Sequence, residues 1–289
     1  MFKNTFFPII IGIVVTVISC GNFSKTDPEG SQNELRLTPE GISTKPIVGA
    51  NDTESYLKLI KNKKVGIVAN QTSVIFKDSR TKNHDSGHFT HLVDSLVSLH
   101  VDVKKVFAPE HGFRGTADAG ELIKDGKDSK TGLPIVSLYG NNKKPKPEQL
   151  KEIDMMIFDI QDVGARFYTY ISSLHYVMEA CAEANIPLLI LDRPNPNGHY
   201  VDGPMLEMEY KSFVGMHPIP IVHGMTIGEY AQMINGEKWL KNGTQCHLTV
   251  IPVKNYTHQT SYSLPIKPSP NLPNDVAINL YPSLCFFEG

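Results

Sequence analysis

Short, continuous apolar runs punctuate this chain at 64–69, 104–108, 134–138, 154–160, 187–192, 219–222 and 247–252. They do not alternate apolar with polar. Both faces of each strand are therefore expected to be covered, as in a parallel sheet. Helical patterns fall between them. In 168–184, Ile171, Leu174, Met178 and Cys181 recur every three or four residues and form one apolar stripe. Thr226 and Glu229 have the spacing of a capping box and open a helix towards Trp239. Residues 91–99 and 146–152 read as shorter helices. This strand–helix alternation predicts an α/β fold: a doubly wound, mostly parallel, Rossmann-like sheet.

The ends read differently. Lys3 precedes an apolar run from Phe6 to Ile18, which is short for a membrane span and suits a secretory signal. The run closes on Val17-Ile18-Ser19-Cys20, which resembles a bacterial lipobox and would make Cys20 the lipidated N-terminus of an exported, periplasm-facing lipoprotein. A plain cleaved signal or a single anchor helix is the alternative. Residues 1–19 are thus expected to be a signal peptide, 20–50 a polar tether, and 51–255 the Rossmann-like catalytic domain. Residues 256–289, which contain the Pro/Asn-rich stretch SLPIKPSPNLPN, are expected to begin a second, truncated domain.

Composition narrows the function. The 289 residues are 40% hydrophobic with a formal net charge of -2, so no overall basic field points to nucleic acid. Beyond Cys20 the cysteines are Cys181, Cys246 and Cys285, without a CxxC, which argues against a disulfide framework or structural zinc. Cys181 falls in the helical stripe and reads as core. No GxGxxG, GxxxxGK[ST] or GxSxG occurs, so nucleotide cofactors and a serine nucleophile lack their fingerprints. No cofactor or metal is expected. His84, His88 and His91 have metal-like spacing, but a polar loop entering a helix explains them equally well.

Ligands of parallel α/β sheets bind beyond the carboxyl ends of the strands. Asn70 follows the first run. Glu110, His111 and Arg114 follow the second. Gln161, Asp162 and Arg166 follow the 154–160 run, and Arg193 and Asn195 follow the 187–192 run. The chain holds only five arginines, and three of them stand on this rim. Arginine suits planar recognition of carboxylate or phosphate, so the three together suggest an anionic ligand. The competing reading pairs each arginine with a nearby acid that orders a loop. Glu110, beside Pro109, is a proton donor if desolvated, or a loop brace. His111 either positions substrate or hydrogen-bonds the turn. Gly112 and Gly115 allow positive φ or close backbone approach. Tyr168 and Tyr170 either stack on a sugar or fill the core.

The same residues carry a resemblance. PEHGFRG (109–115), DIQDVGARFYTY (159–170), LDRPNPNG (191–198), VDGPML (201–206) and PIVHGMTIGEYA (220–231) resemble, in order, the YbbC-like exo-β-N-acetylmuramidase family known as NamZ. The resemblance implies a Rossmann-like domain, a smaller second domain and an active site between them. It implies release of N-acetylmuramic acid from the non-reducing end of peptidoglycan fragments. It also implies Glu110 as the catalytic acid and a pocket including Asn70, His111, Arg114, Asp162, Arg166, Arg193 and Asn195. Arg114 would read the lactyl carboxylate. Asp162 is the candidate second catalytic group and Glu288 a weaker one, unless the substrate's own acetamido group assists. The competing functions are a lipoprotein that binds anionic cell-wall sugars without cleaving them, and a metal-dependent amidase or peptidase resting on the three histidines.

Overall fold

The computed structural model describes residues 45–76, 89–115 and 125–287. In chain order its elements are α1 (Thr53–Ile60), β1 (Lys64–Ala69), β2 (Val74–Phe76), β3 (Phe89–His91), α2 (Leu92–Ser98), β4 (Asp102–Ala108), β5 (Gly126–Lys127), β6 (Pro134–Ser137), α3 (Pro147–Leu150), β7 (Met155–Asp159), α4 (Tyr170–Glu183), β8 (Leu188–Leu191), α5 (Ile227–Gly236), β9 (Leu248–Ile251) and α6 (Asp275–Leu284). Seven strands form one sheet in the order β5-β6-β4-β1-β7-β8-β9. All neighbours are parallel except β5, which runs antiparallel to β6. β2 and β3 make a separate antiparallel ribbon.

The continuous apolar runs have the cause the pattern suggested. Successive strand residues face opposite sides, and each side meets helices. Ile67 in β1, Val106 in β4, Ile157 in β7 and Leu189 in β8 pack with Tyr56 and Ile60 of α1 and Leu92 and Leu96 of α2. Their neighbours Val68, Phe107, Phe158 and Ile190 pack with Leu174 and Met178 of α4 and Tyr230 and Ile234 of α5. Each such side chain, fully buried, contributes about 1.5–3 kcal/mol. Cys181 lies in this second cluster, as expected.

Winding sets the position of the site. The chain moves outward from β1 to β4 and β6, then returns to the other side of β1 as β7. That reversal opens a crevice at the carboxyl ends of β4, β1 and β7. The loops entering it hold Asn70, Glu110 to Gly115, and Gln161 to Thr169.

Four expectations change. The 219–222 run is not a strand, because Pro218 and Pro220 remove ladder donors; only Val222 forms isolated bridges, to Ala165 and Asp202. The tether does not reach residue 50: Ile47 bridges Lys254, and Val48 and Ala50 are buried. α5 ends at Gly236, short of Trp239. Residues 256–287 do not stand apart as a second unit, for Leu272, Ile278, Tyr281 and Cys285 join the α4–α5 cluster. The signal segment, Cys20, His84, His88 and Glu288 lie outside the described residues.

Candidate active site

The loop after β4 is tightly braced. His111, Gly112 and Gly115 take positive φ, and a Cβ at Gly115 would meet the Gln71 side chain at 2.8 Å. The two glycines therefore permit a turn that most residues would strain. Phe113 is buried between the edge of His91, at 4.9 Å between ring centroids, and the Arg114 guanidinium at 4.3 Å.

Glu110 leaves this loop half-buried. The Thr169 hydroxyl donates to its carboxylate over 3.2 Å. The Tyr170 hydroxyl donates to the Glu110 carbonyl at 3.3 Å and accepts from Asn70 Nδ2 at 2.9 Å. Burial, then the nearby Glu110 charge, push the Tyr139 phenol above its ordinary range. Burial does the same to Tyr170. No ion pair joins Glu110 among the described residues.

A cleft of about 360 Å³ opens beside this acid, lined by His111, Phe167, Tyr168, Thr169, Ser269 and Tyr281 among others. Gln71 Nε2 and the Tyr168 hydroxyl both donate to the Pro268 carbonyl, at 3.0 and 2.8 Å. These bonds pin the Pro-rich segment as the far wall. His111 is buried with an unpartnered Nδ1.

The arginines are a correction. Arg114 makes paired bonds to both Asp94 and Asp128, the shortest 2.9 and 2.8 Å. Against burial, which acts to raise it, Arg114 and Thr131 hold the Asp128 carboxyl well below the usual range. Arg193 is buried and spends Nε and Nη2 on Asp159 at 2.6 and 2.9 Å. Both are loop braces, as the competing reading had it. Arg166 donates from Nη1 to the carbonyls of Pro204 and Ile219 and keeps an unpartnered Nε.

Other expected ligands brace the rim as well. Gln161 donates to the Asp162 and Pro194 carbonyls, and Asn195 donates to the Met225 carbonyl. Asp162 is buried; one oxygen accepts from Gly164 N at 2.7 Å and stands 3.5 Å from His223 Nε2, while the other has no partner. It does not line the cleft. His91 spends both ring nitrogens, accepting from Val93 N and donating to the Asn70 carbonyl. That use answers the metal reading at this histidine. The cleft thus unites Glu110, His111 and Tyr168, with Asn70 one bond behind through Tyr170. Ser269 and Tyr281, which also line it, carry no signal in the sequence pattern.

This combination, an acid at the switch point of a doubly wound sheet, defines a class that sequence comparison names. The profile of the family "Exo-beta-N-acetylmuramidase NamZ, N-terminal" matches residues 65–276, and the chain belongs to that family. It is 44% identical over 241 residues to the peptidoglycan β-N-acetylmuramidase NamZ of Bacillus subtilis (strain 168), covering 81% of this chain and 54% of that protein. Two solved proteins of the DUF1343 family from Bacteroides fragilis NCTC 9343 share the fold, each with a TM-score of 0.73. They are 53% and 36% identical to this chain, which covers 62% and 61% of their lengths. The chain spans about half the length of its Bacillus subtilis relative.

Proposed function

We propose that this chain carries the acid side of an exo-acting β-N-acetylmuramidase site, releasing N-acetylmuramic acid from the non-reducing end of peptidoglycan fragments with Glu110 as general acid. One observation carries the reading. The Glu110 carboxyl stands at a cleft of about 360 Å³ whose walls offer aromatic faces and small polar groups. Aromatic side chains pair an apolar face with a polar edge, as a pyranose ring requires. Glycoside cleavage needs a carboxylic acid to protonate the departing oxygen as the bond from C1 breaks.

Asp162 is poorly placed as the second group, since it is buried away from the cleft lining. This favours assistance by the substrate's own acetamido group. Arg114 and Arg193 are engaged internally, and the unpartnered Arg166 Nε is buried outside the cleft lining.

The test incubates a defined β-linked muramyl-glucosamine disaccharide with this chain, and with a version extended by the remaining length of the Bacillus subtilis relative. Free N-acetylmuramic acid from either supports hydrolysis. Calorimetric binding without product from both supports the non-cleaving lipoprotein instead. We also propose export and lipid anchoring at Cys20 in the bacterial envelope. Labelled fatty acid should be incorporated in cells and lost in Cys20→Ser.

A further inference from the structure

Ser269-Pro270-Asn271-Leu272 forms a turn in the wall of the cleft that holds Glu110. Leu272 N donates to the Ser269 carbonyl at 3.3 Å. Serine first and proline second are residues such a turn favours. Both ends are fixed. The Pro268 carbonyl accepts from Gln71 Nε2 and from the Tyr168 hydroxyl. Leu272 is buried in the α4–α5 cluster, and Asn274 caps α6 by accepting from Ala277 N at 3.0 Å.

The polar side chains of the turn take no part in this bracing. Neither the Ser269 hydroxyl nor the Asn271 amide hydrogen-bonds another described residue, although both residues line the cleft. Other asparagines at the rim behave differently: the amides of Asn70, Asn195 and Asn197 all bond backbone groups.

The rest of the lining narrows what Asn271 can read. Leu272, Val214 and Tyr281 place apolar surface in the same cleft. No lysine or arginine lines it among the described residues. An amide with apolar surface nearby and no cation suits an acetamido group, which presents an N–H, a carbonyl and a methyl. It does not suit a carboxylate, which charged donors hold best. In the sugar the acetamido group is borne on C2, beside the C1–O bond that Glu110 would protonate. One cleft of about 360 Å³ can therefore serve both.

We propose that Asn271 is a specificity-determining residue that reads the 2-acetamido group of the sugar at the cleaved end. The inference rests on the muramidase reading of the cleft given above. The Asn271 side-chain oxygen accepts from the acetamido N–H. That leaves the acetamido oxygen free to approach C1, as assistance by the substrate requires. Because the turn is anchored on both sides, little freedom is lost when the bond forms.

The test needs no turnover. Calorimetry compares N-acetylmuramic acid with its 2-hydroxy counterpart, 3-O-lactylglucose, on this chain and two variants. Wild type should bind the acetamido sugar more tightly by on the order of tenfold, from one hydrogen bond and a buried methyl. Asn271→Ala should cut that ratio by about three- to tenfold, with 3-O-lactylglucose binding within about twofold of wild type. Its urea unfolding should not change, since Asn271 is exposed and makes no internal bond. Asn271→Asp keeps the accepting oxygen and should keep the ratio, whatever its added charge does to both sugars alike. A full ratio in Asn271→Ala, equal weakening of both sugars, or loss of the ratio in Asn271→Asp overturns the proposal. If wild type binds neither sugar, the muramidase reading itself fails and this proposal falls with it.

Discussion

The Tyr170 hydroxyl lies 3.3 Å from the carbonyl of Glu110 and ties α4 to the loop that follows β4. Because the same hydroxyl accepts from the fully buried Asn70, it joins the loops of three neighbouring strands at the point where the sheet changes direction. Tyr170→Phe leaves Asn70 Nδ2 without this partner in the interior. The variant should lose about 1–3 kcal/mol in urea unfolding. Unchanged stability would mean that this junction carries no load.

Arg114 gives a test that separates bracing from substrate reading. Arg114→Lys keeps the charge but loses the fork that engages Asp94 and Asp128. Stability should fall by about 1–3 kcal/mol, while the preference for muramic acid over N-acetylglucosamine at the cleaved end stays within two- to threefold. Loss of that preference with stability intact would return Arg114 to the substrate.

Acid should loosen this fold before neutral pH does. Burial pushes the His91 imidazole down to about 4 and moves the hydrogen-bonded pair His175 and His217 in the same direction. Unfolded histidine binds a proton near pH 6.5. Below that pH the unfolded chain therefore takes up protons that the folded chain refuses, and stability falls until the folded values are reached. Asp192, raised to about 6 by burial, runs the other way, since its folded form binds a proton first. Asp159, which burial also raises, runs the same way as Asp192, and three histidines outweigh these two carboxyls. Unfolding free energy should drop between pH 6.5 and 5, by up to about 1.4 kcal/mol per pH unit for each net proton. A flat profile over that range would contradict the burial of these rings.

The sheet was legible because strands buried on both faces must be apolar at every position, as Ile67, Val68 and Phe158 are. β2, β3 and β5 span two or three residues each, too few to show a period. Ile219 to Val222 misled because two prolines interrupt an otherwise strand-like run. α6 was hidden by a Pro/Asn-rich approach, an internal Pro282 and exposed apolar residues such as Val276 and Leu280. The place of Glu110 at the rim was legible because it directly follows the continuous apolar run that forms β4. The arginines were not, since Asp94 and Asp159 stand 20 and 34 residues from Arg114 and Arg193, and local sequence does not show which acid will be adjacent.

The most direct test of Glu110 is product release by wild type and Glu110→Gln on the same muramyl-glucosamine disaccharide, with folding checked by circular dichroism. A general acid contributes about 10²- to 10⁴-fold. The account predicts a loss of N-acetylmuramic acid release of that size in a folded Glu110→Gln protein. Release within a few-fold of wild type would contradict it.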